Sequence, residues 1–357
     1  MRKCTLVILL IFLLSSTVYA EDVTGIDTEP LTQGLSEDAA DLLPEYASDG
    51  TLDFWDSLKN IFFGSFLSIK DSYVSALKLC AILLGLATLC AVAQISSHQY
   101  VDAITIAGAL GITVAVASTF QSMIGLAIQT VEDITNYSAC LLPVMASATV
   151  MSGGVASGSA LYAGTVMFSQ LLLQLISKLL IPGVFIYLLI AMAEAALSSE
   201  MLSEIREFIG WLISKTLRII MYIFIGYMSI TGVISGTSDA ATLKATKAAV
   251  SGMIPVVGNI VSDASESLIA SAMILKSSVG IFGMLAVIAI CLVPFLTVGT
   301  HYLMLKVTAA VSGTVGLKPH VKLIKSFSTA MGYLLAMCGA CALLLLISTV
   351  CFLKVVQ

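Results

Sequence analysis

The sequence predicts an all-α polytopic membrane protein of six to eight spans, with two Pro-containing parallel repeats and an N-terminal interfacial amphipathic helix. Three observations predict it. Of 357 residues, 58% are apolar and 11% charged, with a mean hydropathy of +1.02, whereas soluble domains hold roughly a quarter charged residues. Apolar stretches reach the ~20 residues that a membrane helix needs, and they recur along the chain. The prolines interrupting them repeat at a fixed interval.

Residues 1–20 read as a secretory signal peptide: Arg2 and Lys3 form the charged start, Leu6–Leu14 the apolar run, and Val18-Tyr19-Ala20 a small-x-small cleavage site. An uncleaved first membrane helix is the competing reading, weakened by the shortness of the run. The net charge of −5 then divides: eleven of the 22 acidic residues lie between Glu21 and Asp56, where no Lys or Arg occurs. Residues 21–53, with Gly25, Pro30, Gly34, Pro44 and Gly50 and no sustained period, are expected to be an acidic extracytoplasmic segment, largely disordered. Over 54–72 the pattern becomes helical, with Phe54, Trp55, Leu58, Ile61, Phe62, Ser65, Phe66 and Ile69 opposite Asp56, Lys59 and Asn60. A helix of that kind lies in the membrane interface.

The first two membrane helices are expected within 73–131, with spans near 75–96 and 103–130. Further spans fall near 179–197, 217–236, 279–298 and 328–353. The basic cluster Lys306, Lys318, Lys322 and Lys325 places 306–325 in the cytoplasm by the positive-inside rule. Arg206, Lys215 and Arg218 mark a second, weaker cytoplasmic loop, so 238–278 and the mature N-terminus fall outside. The Gly/Ser-rich region 137–177 is left as either a re-entrant hairpin or two spans.

Pro143 and Pro182 are 39 residues apart, as are Pro255 and Pro294, and the pairs superpose at a shift of 112. Cys140-Leu-Leu-Pro143-Val-Met corresponds in character to Gly252-Met-Ile-Pro255-Val-Val. Membrane repeats are therefore expected over 137–238 and 249–353, with equivalent helices running the same way. Identities beyond the prolines are sparse, so coincidence is the competing reading. The first unit contains a small-residue stretch, 152–164, including Gly154-x-x-x-Gly158, which permits close helix approach. The second contains Gly258, Asn259, Asp263, Glu266 and Lys276, with the two carboxylates three residues apart on one helical face. These five are candidates for a polar pathway or a partner-docking surface; packing helices at the outer interface are the alternative.

Little in the sequence points to catalysis. His98, His301 and His320 are isolated, and no pair has metal-ligand spacing. Gly-rich stretches lack the Lys and preceding strand of a phosphate loop. Cys338-Gly-Ala-Cys341 has redox spacing but sits inside a membrane helix, where cysteine is a small packing residue. Neither catalytic, cofactor-binding nor metal residues are expected, and an acidic leader on a mildly cationic body does not suit nucleic acid. Glu194, in Ala191-Met-Ala-Glu194, stands out among the ionisable groups of the spans; such a group is costly in lipid and is a functional candidate. Its position before Ser198, Ser199 and Glu200, close to the cytoplasmic end of the span, favours an interfacial placement over one within the lipid.

Ile254-Pro-Val-Val-Gly258, Val261-Ser-Asp263-Ala264 and Leu275-Lys276-Ser-Ser-Val-Gly280-Ile-Phe-Gly283, with the signal peptide, the acidic segment and the Leu-Leu-Pro143 region, resemble the stage III sporulation protein AE family. The resemblance implies a multi-pass protein of the mother-cell membrane facing the forespore, belonging to a secretion-like channel needed for endospore development. It implies as partners other stage III A proteins, including a cytosolic ATPase and ring-forming proteins, and indirectly the forespore stage II Q protein. It carries over no catalytic or ligand residues. An independent secondary transporter of a small solute or ion, with Glu194 and the duplication as its relevant features, is the alternative function.

Overall fold

The computed structural model describes residues 31, 34–35, 37–40, 43, 54–96, 100–197, 199–253 and 258–354; for 37–38, 232–253, 258–272, 274–276 and 315 it describes the backbone alone. The expected signal peptide and Pro255 lie outside the described residues. The elements are α1 (Phe54–Ser68), α2 (Lys70–Ser96), α3 (Val101–Met151), α4 (Val155–Leu175), a π-helical turn (Ile176–Leu180), α5 (Ile181–Leu197), α6 (Glu200–Met253), α7 (Gly258–Val315) and α8 (Lys318–Lys354). Six stretches among the described residues are long and apolar enough to cross a membrane: Lys70–Ser96, Val101–Met151, Val155–Leu197, Glu200–Thr231, Ser277–Thr314 and Lys318–Lys354. The chain is thus a polytopic helical membrane protein, at the lower end of the expected span count. Helices are the form such runs must take, because in lipid every backbone N–H and C=O needs a partner within the segment. Hydroxyls on them are satisfied the same way, as when Thr130 and Thr149 donate to the carbonyls four residues back, both at 2.7 Å.

The α1 helix lays a narrow stripe, Ser57, Ile61 and Ser65, against α7. Its small residues let the backbones approach, and Phe62, Phe63, Phe66 and Leu67 are left facing outward, as suits a helix at a lipid surface. Within the acidic stretch, Leu31 and Ala39 are buried and Leu35 and Leu43 pack on the same core. These four positions are each four apart, an apolar stripe that the surrounding acids hide from a composition-based reading.

The region 137–177, open in the sequence between a re-entrant hairpin and two spans, forms the far half of a hairpin of two long helices. The α3 helix runs unbroken through Pro143 to Met151, 51 residues or ~76 Å, and α4 turns back beside it. A hydrocarbon core is ~30 Å thick, so α3 is longer than a single crossing needs. Second-span boundaries near 130–131 therefore mark no end of structure. At the tip Gly153 takes φ 94°, the left-handed conformation that closes a helix, and the Gly154 N–H donates to the Thr149 carbonyl at 2.9 Å. A side chain at Gly158 would stand 3.1 Å from the Ala146 carbonyl, so its absence lets α4 close on α3. The α6–α7 pair, of 54 and 58 residues, makes a second long hairpin.

The prolines occupy different backbone settings. Pro143 lies inside α3 and Pro294 inside α7. Pro182 follows the π turn, where the Ile181 N–H donates to Ile176, five residues back. That wider turn accommodates a residue with no N–H and a ring that would clash with a carbonyl four back. Element order is the same in 137–238 and 249–353: a hairpin tip, a Pro-bearing helix, a short junction and a returning helix. The outgoing helices end at Met151 and Met253, 102 positions apart, so the tips do not share the prolines' shift of 112.

At the centre stands α8, which packs against α3, α4, α5, α6 and α7. The most apolar windows lie in α7 and α8, with mean hydropathies of 2.7 and 2.5, and 56% of each is buried, against 28–39% in the other spans. Polar contacts cross between helices at a few points: Thr165 donates to Ser348 at 2.9 Å, and Ser328 to the Tyr302 carbonyl at 3.1 Å.

Candidate functional site

Three junctions, α2–α3, α5–α6 and α7–α8, gather at one end of the bundle, opposite the α3–α4 tip. Here α5 ends within a turn of Glu194, and α6 starts at Glu200 and returns alongside it. That reversal brings Arg206, in the second turn of α6, back over α5. Its Nε donates to Glu194 Oε2 at 2.7 Å and its Nη1 to the Tyr187 hydroxyl at 3.1 Å. Tyr187 is seven residues before Glu194, two turns along one face of α5, and its ring also receives the guanidinium at 5.7 Å. From α8, Lys322 Nζ approaches Glu194 Oε1 at 3.5 Å.

Glu194 is buried, with its side chain 6% exposed, yet it is not an isolated charge in lipid. A carboxylate held by a guanidinium and an ammonium keeps its charge compensated, and breaking the buried Arg206–Glu194 pair from either side is costly. The arrangement ties α5, α6 and α8 into one clamp. A cavity of about 200 Å³ lies beside it, lined by Glu194, Ser199, Glu200, Lys318 and Lys322. One helix further round, His320 donates from Nε2 to the Thr105 carbonyl at 3.0 Å, joining α8 to α3. A carbonyl only accepts, so Nε2 carries the proton. Gly108 leaves the room this ring occupies, since a Cβ there would overlap it. Among the described residues no three His, Cys, Asp or Glu side chains come together in a metal-binding group.

A second feature lies on the other flank of α6. A cavity of about 1190 Å³ lies between it and parts of α7 and α8, walled by Leu217, Met221, Phe295, Leu335 and Leu343 among others. Arg218, Lys306 and Lys325 also line it, and no carboxylate does among the described residues.

The remaining sequence candidates fall elsewhere. Gly258, Asn259, Asp263, Glu266 and Lys276 belong to the first five turns of α7, along the second hairpin, where only the backbone is described. They are not brought to the Glu194 clamp, which lies at the other end of α6 and α7. Sequence reasoning read Arg206, Lys306, Lys322 and Lys325 as markers of sidedness and missed their sorting into two groups. The signal for the clamp was present: a carboxylate near a helix end and an Arg twelve residues on, across a two-residue junction, face each other when the second helix doubles back. No comparable signal puts Arg218 beside Lys306 and Lys325, which converge only through the tertiary packing.

The family model described as Stage III sporulation protein AE matches residues 38–355. The chain belongs to that family. It is also 22% identical, over 317 residues, to Stage III sporulation protein AE of Bacillus subtilis (strain 168), covering 86% of this chain and 79% of that protein. No solved structure matches it. Membership implies a role in sporulation and places the chain in the stage III sporulation group. The matched span takes in both long hairpins, the Glu194 clamp and the cavity beside α6.

Proposed function

We propose that this protein is a non-enzymatic, integral component of a secretion-like channel between mother cell and forespore, required for endospore development. It sits multi-pass in the mother-cell membrane, with its N-terminal segment and both hairpin tips outside the cytoplasm and the three junctions inside. Its partners are other stage III A proteins: a cytosolic ATPase on the junction side and ring-forming proteins on the tip side, through which it reaches the forespore stage II Q protein. The tip-side helix carrying Gly258, Asn259, Asp263, Glu266 and Lys276 is the docking element. The two Pro-bearing units are repeats of one ancestral element.

The observation that carries this reading, beyond family membership, is the closed centre of the bundle. Where a solute carrier needs a polar path, α8 places Leu334, Met337, Cys338 and Leu345, all buried. Glu194, the residue on which a transporter would depend, is engaged by Arg206 and Lys322. What extends from this core is long helical hairpin, suited to contact with other proteins.

In a sporulating strain, the tagged chain is expected to co-purify with neighbouring stage III A proteins. Asp263→Ala with Glu266→Ala is expected to lower that recovery and spore yield by about tenfold, the scale of a partly exposed interface charge. Wild-type recovery and spore yield would remove the second hairpin as the docking element. Solute uptake by the purified chain alone in vesicles, abolished by Glu194→Gln, would overturn the channel reading in favour of a secondary transporter.

A further inference from the structure

We infer that the cavity between α6 and the α7–α8 pair is a binding site for an anionic phospholipid. At about 1190 Å³ it exceeds the ~300–1,000 Å³ of ordinary small-molecule pockets, and its walls are those of an amphiphile site. Leu217, Met221, Phe295, Leu335 and Leu343 make the apolar part. Ile225, Phe295 and Leu343 at its edges are also exposed on the outer surface of the bundle, so the cavity opens sideways, toward lipid.

Charge selects the occupant. Lys306 lies nine residues from the end of α7 and Lys325 seven from the start of α8, which puts both within ~10–14 Å of the α7–α8 junction. Arg218, eighteen residues into α6, lines the same cavity. Lys306 Nζ donates to the Tyr302 hydroxyl at 2.9 Å, which holds it at the cavity wall. Lys306 and Lys325, with no carboxylate among the lining residues, leave a positive end to an apolar slot to which Arg218 adds charge along the wall, and a lipid phosphate supplies the missing charge while its chains fill the rest. A helix from another protein would cover the apolar walls but leave these cations to be compensated separately. Basic pockets between membrane helices take anionic headgroups on this basis. The Glu194 clamp shows the contrast within one molecule, since its cations are already compensated.

The test uses the full chain, purified in detergent and stripped of lipid. Phosphatidylglycerol is expected to raise its melting temperature more than phosphatidylcholine, and native mass spectrometry to show retained phosphatidylglycerol. Each cation near an anionic lipid is worth about fivefold in affinity, so Arg218→Gln, Lys306→Gln and Lys325→Gln together are expected to weaken phosphatidylglycerol binding on the order of 100-fold. Because that triple variant alters one surface heavily, Lys306→Arg with Lys325→Arg serves as the charge-preserving partner and is expected to retain binding. Equal protection by the two lipids, or an undiminished phosphatidylglycerol response in the triple variant, would overturn the proposal. A photo-crosslinker at Ala336 is expected to yield a lipid adduct; a protein adduct instead would give the cavity to a partner helix or a second copy.

Discussion

The two flanks of α6 are built on opposite terms. On one, the helix is fastened to α4 and α5: Arg206 closes on Glu194, Phe224 meets Phe168 edge-on at 5.4 Å, and Tyr227 donates to the Ala160 carbonyl at 3.1 Å. On the other, the large cavity opens between it and parts of α7 and α8, with Arg218 among the lining residues. Charge of the same sign thus appears on both sides, but only one side supplies a carboxylate. The lesson is that a cation in a membrane protein cannot be assigned a role from its sequence position relative to the bilayer. Its role follows from what the neighbouring helix brings to it.

The comparison is most severely tested by Glu194→Ala. It leaves Arg206, whose side chain is only 15% exposed, with the more distant and exposed Glu207 as its carboxylate, and is expected to cost roughly 3–5 kcal/mol, seen as a large fall in thermal stability in detergent. A wild-type melting curve would mean that the clamp is not what holds α6 to α5. Next in size is Gly164→Ala. A Cβ at Gly164 runs into the Tyr227 ring, so the substitution should cost about 1–3 kcal/mol and loosen the upper part of the same flank. If it proves neutral, the α4–α6 contact has room that the packing denies. The smallest effect expected is from Lys322→Ala, about 0–1 kcal/mol, because its ammonium is 63% exposed and Arg206 remains on Glu194. A loss as large as that of Glu194→Ala would instead make Lys322 the principal partner.

The fold class was legible because lipid leaves the backbone few choices: runs of apolar residues near 75–96, 279–298 and 328–353 all lie within long helices. Less legible was how far each helix continues. Pro143 and the small residues from 152 onward look like breaks, yet a proline costs an α-helix one N–H and a local clash, and α3 absorbs both without ending. Glu194 was recognisable as an expensive group, and its interfacial placement near a helix end was open to sequence. Its compensation by Arg206 and Lys322 was not, because the second cation comes from a helix more than a hundred residues away. The large cavity left no trace in sequence at all. Its walls are ordinary Leu, Phe and Ala residues of spanning helices, and only the spacing between α6 and α8 makes them a cavity.

The central position of α8 bears on how the molecule is made. It is the last helix to leave the ribosome among the described elements, and five earlier helices keep a face for it. Until residues 318–354 are inserted, α3 to α7 can be threaded into the membrane but cannot finish packing together. The packing of the bundle is therefore completed by the helix that follows all the others it holds together.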